Sequence, residues 1–160
     1  MQEKIEMKVS LTVYPTADWS EEDRVLVGMA KEIMEKAHAP YSDFLVGAAL
    51  LLENGEKLMA NNQENVSFPV GVCAERAVLS YAMANFPMSK PLKIVISAKK
   101  RNGNKFATVT PCGLCRQTIN EYENKFQAPI QVMMLTPEGN LLVADGIEQL
   151  LPFRFNDLNS

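Results

Sequence analysis

The segment Lys93-Ile94-Val95-Ile96-Ser97-Ala98 decides the fold. Its Ile-Val-Ile centre reads as a strand buried on both faces, the kind that needs helices above and below it. The flanking sequence supplies them. Upstream, Pro69 and Gly71 break the chain just before Cys73-Ala74-Glu75-Arg76-Ala77-Val78-Leu79-Ser80-Tyr81-Ala82-Met83-Ala84, an alanine-rich helix. Downstream, a polar loop from Arg101 to Lys105 leads to Thr110, which can cap a helix that begins at Pro111 and runs through Tyr122. Farther out, Val46 to Leu52 and Lys57 to Asn61 read as a hairpin about Glu53-Asn54-Gly55-Glu56. Ile130 to Leu135 and Leu141 to Val143 are two more strands about Pro137-Glu138-Gly139-Asn140. Ser20 with Glu21, Glu22 and Asp23 starts the first helix, in which Val25, Leu26, Met29, Ile33, Met34 and Ala37 recur at helical spacing until Pro40. This order of elements predicts one sheet with helices on both faces.

At 160 residues, 47% of them apolar, the chain is the size of one domain and needs no disulfide to hold its core. No repeat or linker divides it. Residues 1–19 read as an N-terminal arm, with Met7, Val9, Leu11 and Val13 alternating with polar residues before Pro15; residues 20–160 read as the working domain. The net charge is −3 and the densest basic cluster is Lys99-Lys100-Arg101, which disfavours a nucleic-acid partner. No apolar stretch is long enough for a signal peptide or a membrane span, so the expected location is the cytoplasm. In that reducing setting three cysteines are metal ligands or catalytic thiols before they are disulfide halves.

Cys112 and Cys115 form a C-x-x-C at one helix start, and Cys73 opens another. Residues three apart share a helix face, so that pair can grip one ion and Cys73 can complete a three-thiolate set. Helix N-termini favour the thiolate form, and a soft tetrahedral sulfur set points to zinc. Three protein ligands leave one position for water, whose pKa zinc lowers to about 7. Arg76 is the candidate for offsetting the excess thiolate charge, and Glu75, two residues from Cys73, is the candidate general acid and base.

Three motifs together, Asn62-Gln63-Glu64-Asn65, Cys73-Ala74-Glu75-Arg76 and Pro111-Cys112-Gly113-Leu114-Cys115-Arg116-Gln117, resemble the cytidine deaminase family, in its small homotetrameric zinc-dependent subclass. The likeness runs from Pro40-Tyr41-Ser42-Asp43-Phe44 to Leu150-Leu151-Pro152. It implies an α/β/α sandwich of three layers, with a mixed sheet of about five strands. It implies hydrolytic deamination of cytidine and deoxycytidine to uridine and deoxyuridine plus ammonia, in pyrimidine salvage: zinc-hydroxide attacks C4 while Glu75 moves the water's proton to N3 and then to the departing amine. By the same resemblance Asn62 and Glu64 hold the ribose hydroxyls, the Ala74 amide meets the pyrimidine carbonyl, and Phe44 lines the base pocket. Phe155 stacks on the base in a neighbouring subunit's site, favoured over Phe153 by its spacing from Pro152, so the partner set is a nucleoside and three further copies of the chain. Phe68 stands where the family commonly has tyrosine, and Gln63 where it tends to an aliphatic residue.

Competing readings are separable. A redox C-x-x-C leaves Cys73-Ala74-Glu75 unexplained. A structural zinc needs a fourth ligand, for which His38 is the only histidine; it is better placed as a residue at the end of the first helix, facing its dipole. A deaminase for a blasticidin-type aminated nucleoside shares the metal centre but has less use for Asn62 and Glu64, and a polynucleotide deaminase suits the acidic charge poorly.

Overall fold

A computed structural model describes residues 1–157; the last three residues of the expected working domain, 158–160, lie outside the described residues. The strand expected over Lys93 to Ala98 runs over Pro91–Lys100 as β4, two residues longer at each end. In chain order the described elements are β1 (Thr12–Tyr14), α1 (Glu21–Met34), β2 (Phe44–Leu52), β3 (Lys57–Asn61), α2 (Ala74–Asn85), β4, α3 (Gly113–Phe126), β5 (Gln131–Leu135) and β6 (Leu141–Ala144). They build one mixed sheet in the order β1-β6-β5-β4-β2-β3, in which only the β4–β5 pair is parallel. The sheet has six strands, not five: the end of the N-terminal arm pairs with β6, Val13 opposite Leu142.

Strand alternation divides the core into two layers. Ala48, Leu50 and Leu52 of β2, Ile94 and Ile96 of β4, and Val132 and Met134 of β5 pack with Val78 and Leu79 of α2 and Ile119 of α3. The intervening Ala49, Leu51, Val95, Met133 and Leu135 pack with Leu26, Val27 and Ala30 of α1 and with Trp19. The expected three-layer sandwich is therefore present, α1 on one face and α2 with α3 on the other. At Gly47 β2 lies tight against the backbone of α1, because an added Cβ would lie 2.1 Å from the Ala30 carbonyl oxygen and 2.7 Å from the Met34 amide nitrogen.

Helix ends differ from the pattern. α1 stops at Met34 instead of running to Pro40: Lys36 and Ala37 donate to Ile33 and Met34 in a tightened final turn, and the chain then straightens. His38 thus lies beyond the helix, where its N–H donates to the Asn62 carbonyl and its carbonyl accepts from the Glu64 amide. Val25, expected on the packed stripe, is exposed. α3 begins at Gly113 with Cys112 as its N-cap, so Thr110 is not the cap and Pro111 lies before the helix instead of starting it. It also continues to Phe126, held open to that length by Gln127, which closes the helix in the left-handed region at φ 50°.

Candidate active site

The ends of α2 and α3 meet beside β2 because both helices lie on the same sheet face, and each begins with a cysteine. Cys73 and Cys112 are the N-cap residues, with extended ψ values of 153° and 171°, and Cys115 follows inside the first turn of α3. The Cys73 and Cys112 sulfurs are 3.9 Å apart and those of Cys112 and Cys115 are 3.6 Å apart. Tetrahedral zinc with bonds of about 2.3 Å requires sulfur separations of about 3.8 Å, so this donor set fits the ion in spacing as well as in softness. All three sulfurs lie within 4.8 Å of one another, and His38 is not among the ligand group. Cys115 is buried, Cys73 is half-buried and Cys112 is exposed.

The charges around the sulfurs are uneven. The Cys115 thiol donates to Cys73 and, against the opposing effect of burial, brings Cys73 down to about 6, with help from Cys112 and from the Arg76 charge. Cys115 is pushed up in turn as the group that keeps its proton. Glu75, only 3% exposed at the second position of α2, is raised to about 7, chiefly by burial and further by the neighbouring Cys73.

A cavity of about 640 Å³ opens over this cluster. Cys73, Ala74, Glu75, Arg76 and Cys112 line one side of it, and Phe44, Asn62 and Glu64 line the other. Eight of the residues singled out in the sequence thus line one cavity, and Cys115 joins it through the sulfur cluster. Phe155 does not line it: its ring is exposed on a C-terminal tail whose backbone is tied along α3, the Phe155 carbonyl accepting from Gln117 at 2.9 Å and from Asn120 at 3.0 Å. Phe153 is equally exposed on the same tail.

The Asn62 amide is already employed. Its Oδ1 accepts from the Val46 N–H and its Nδ2 donates to the Phe44 carbonyl, both at 2.9 Å, which leaves one donor and one lone pair for anything in the cavity. Glu64 accepts from the Tyr41 amide at 2.9 Å, from the Ser42 amide at 3.3 Å and from the Ser42 hydroxyl. The Ser42 hydroxyl, outweighing slight burial, keeps this carboxyl below its ordinary range, with the two amides assisting. Gln63 also lines the cavity and donates to Asn61 Oδ1, while its backbone pairs with Val72 and ties the Asn62–Glu64 segment to the approach of α2. Phe68 packs edge-on against Tyr41 at 5.7 Å between ring centres, across the cavity mouth.

Two residues escaped the sequence reading. Ser42 lies inside a quoted motif without a role, and its turn position gives no hint of the Glu64 contact. Arg116 donates to the carbonyls of Pro111 at 2.7 Å and Leu150 at 2.6 Å and so fixes the Cys112 loop to the C-terminal segment. Its place directly after Cys115 was a usable signal.

With this geometry established, comparison with known proteins is informative. Residues 20–128 match the family model described as the cytidine and deoxycytidylate deaminase zinc-binding region. The chain is 37% identical over 138 residues to a cytidine deaminase of Halalkalibacterium halodurans, covering 85% of this chain and 97% of that one. It is 30% identical over 146 residues to a blasticidin-S deaminase of Bacillus cereus, covering 88% and 96% of the two chains. Its structure is similar to that of a cytidine deaminase from Burkholderia pseudomallei, with a TM-score of 0.70 and 32% identity over 82% of this chain and 98% of that one.

Proposed function

The chain belongs to the cytidine and deoxycytidylate deaminase family, and from that premise we propose that it hydrolyses the exocyclic amino group of free cytidine and deoxycytidine, giving uridine or deoxyuridine and ammonia. The observation that carries the reading is the three-sulfur cluster at tetrahedral spacing beneath a cavity that Glu75, Asn62 and Glu64 share. Cys73, Cys112 and Cys115 hold the zinc. Bound zinc supplies an ionised water near neutral pH.

The chain's own groups do the rest. Glu75, buried beside the cluster, takes the proton of the attacking water and places it on ring N3, then takes the proton of the new C4 hydroxyl and passes it to the departing nitrogen as the C4–N bond breaks and the C4 carbonyl forms. The free Ala74 amide at the start of α2 donates to the pyrimidine carbonyl oxygen, since the first N–H groups of a helix have no partner within it. Phe44 packs on the base. The remaining donor and lone pair of Asn62, with the Glu64 carboxylate, meet the ribose hydroxyls. Arg76 offsets the thiolate charge.

Zinc-loaded protein mixed with cytidine should remove its ultraviolet absorbance and release one ammonia per base; fully loaded protein without turnover overturns the proposal. The likeness to the blasticidin-S deaminase supports a second reading, an aminated nucleoside antibiotic as substrate. Turnover of blasticidin S with no turnover of cytidine would establish it instead. We infer further a homotetramer in which Phe155 of one copy stacks on the base held by another, a reading supported by the exposure of Phe153 and Phe155 and by their absence from the lining of the chain's own cavity. Sedimentation gives the assembly. No helix among the described residues is long and apolar enough to cross a membrane. A salvage enzyme with reduced cysteine ligands belongs in the cytoplasm.

A further inference from the structure

The N-terminal arm lies outside the residues matched by the family model and takes no part in the cavity. Residues 1–13 are all exposed. Ile5, Met7, Val9, Leu11 and Val13, each between 37% and 74% exposed, fall on one side of an extended chain, and Gln2, Lys4, Glu6, Lys8, Ser10 and Thr12 fall on the other. Such two-residue alternation is the pattern of a strand with one covered face. Strand geometry is already set at Thr12–Tyr14, and β1 is the outermost strand, paired on one edge only.

We propose that this arm is an interaction strand that pairs antiparallel with the same arm of a second copy of the chain, with Met7 opposite the partner's Met7. The sequence complements itself in that register. On the side that carries Met7, Ile5 meets the partner's Val9, Met1 meets the partner's Val13 and Glu3 lies opposite the partner's Leu11, each pair occurring twice. On the polar side Glu6 meets the partner's Lys8, again twice, extending the Lys4–Glu6 ion pair present within one arm. Sliding the arms by one pair in either direction sets Glu6 on Glu6 with Lys4 on Lys8, or Lys8 on Lys8. Parallel in-register pairing sets every charge on its like. Opposed like charges destabilise a strand pair, so the charge pattern selects the direction and excludes the two neighbouring registers; a register centred on Ile5 keeps two Lys4–Glu6 pairs but overlaps only residues 1–9 and leaves Leu11 and Val13 uncovered. A register centred on Val9 avoids like charges but gives up both Glu6–Lys8 pairs.

The test is covalent capture in the full-length, zinc-loaded protein and is independent of the proposed activity. Directly opposed residues in an antiparallel pair have Cα atoms about 4.5–5.5 Å apart, within disulfide reach. Met7→Cys, mildly oxidised and mapped by mass spectrometry, should give a link between position 7 of two copies about tenfold more abundant than the self-links of Ile5→Cys or Val9→Cys. Mixing Ile5→Cys with Val9→Cys protein should give the link between 5 and 9. Glu6→Lys added to Met7→Cys should lower the position 7 link, and adding Lys8→Glu as well should restore it. Absence of the position 7 link, or equal self-linking at 5 or 9, overturns the proposal.

Discussion

Asn62 shows how one side chain can hold the wall of a site while also facing into it. Its Oδ1 is the acceptor for the Val46 N–H and its Nδ2 a donor to the Phe44 carbonyl, so truncation leaves two strand groups without partners. Asn62→Ala should therefore cost about 1–3 kcal/mol of stability, read from urea unfolding, besides raising KM for nucleoside. A rise in KM with unchanged stability would show that the β2 contacts carry no energy. Glu75 is a cleaner case, because glutamine preserves its volume in a buried place but cannot exchange a proton. Glu75→Gln should retain zinc by metal analysis and lose about 10²–10⁴ in kcat. A normal kcat in that variant removes Glu75 from proton transfer. The cysteine cluster and the place of Glu75 beside it were legible because both are set locally by a helix start. The structural work of Asn62 was not, since it depends on a strand sixteen residues back being folded against it.

At the scale of elements, α1 is fixed to the sheet by two different contacts. Asp23 near its N-terminus accepts from the Ser20 hydroxyl at 2.7 Å and from Lys93 of β4 at 2.8 Å. Burial acts to raise its carboxyl, but the Lys93 and Ser20 hydrogen bonds together hold it below its ordinary value. A folded carboxyl so lowered stabilises above the unfolded value of about 4 and loses that contribution as pH falls through the lower folded value. The stability gap between the native protein and Asp23→Asn should thus stay level from about pH 5 to 7 and shrink below about pH 4. A gap that widens with acid would contradict the sign. At the middle of α1 the contact is steric: Gly47→Ala drives a Cβ into helix backbone that cannot rotate away. It should cost at least about 1–3 kcal/mol, seen as a lower Tm, and an unchanged Tm would mean that α1 can lift off β2 freely. The strands were legible because burial on both faces leaves an unbroken apolar run. The ends of α1 and α3 were not, because apolar spacing persists through Ala37 although the chain has left the helix, and because Thr110 carries a capping hydroxyl although α3 starts three residues after it, behind a cysteine that makes no side-chain cap.

For the whole molecule, the aromatic tail stands exposed and outside the lining of its own chain's cavity. Glu123 accepts the Ile130 and Ile147 amides at 2.8 Å and lies 3.6 Å from Arg154, while Gln117 and Asn120 hold the Phe155 carbonyl. The tail backbone is thus anchored with the Phe153 and Phe155 rings left outside. Nothing in the amino-acid order revealed this anchoring, because each contact joins α3 to residues about thirty or more positions later; only the aromatic spacing after Pro152 was visible. If Phe155 completes a neighbour's site, two defective chains can repair each other. Glu75→Ala and Phe155→Ala, co-expressed with different tags and purified as mixed assemblies, should exceed the summed activity of the separate variants. Random assembly places an intact Glu75 and an intact partner Phe155 together in about a quarter of the sites, which sets the ceiling of the rescue. Mixed assemblies no more active than that sum would confine each working site to one chain, and the tail would then serve packing alone.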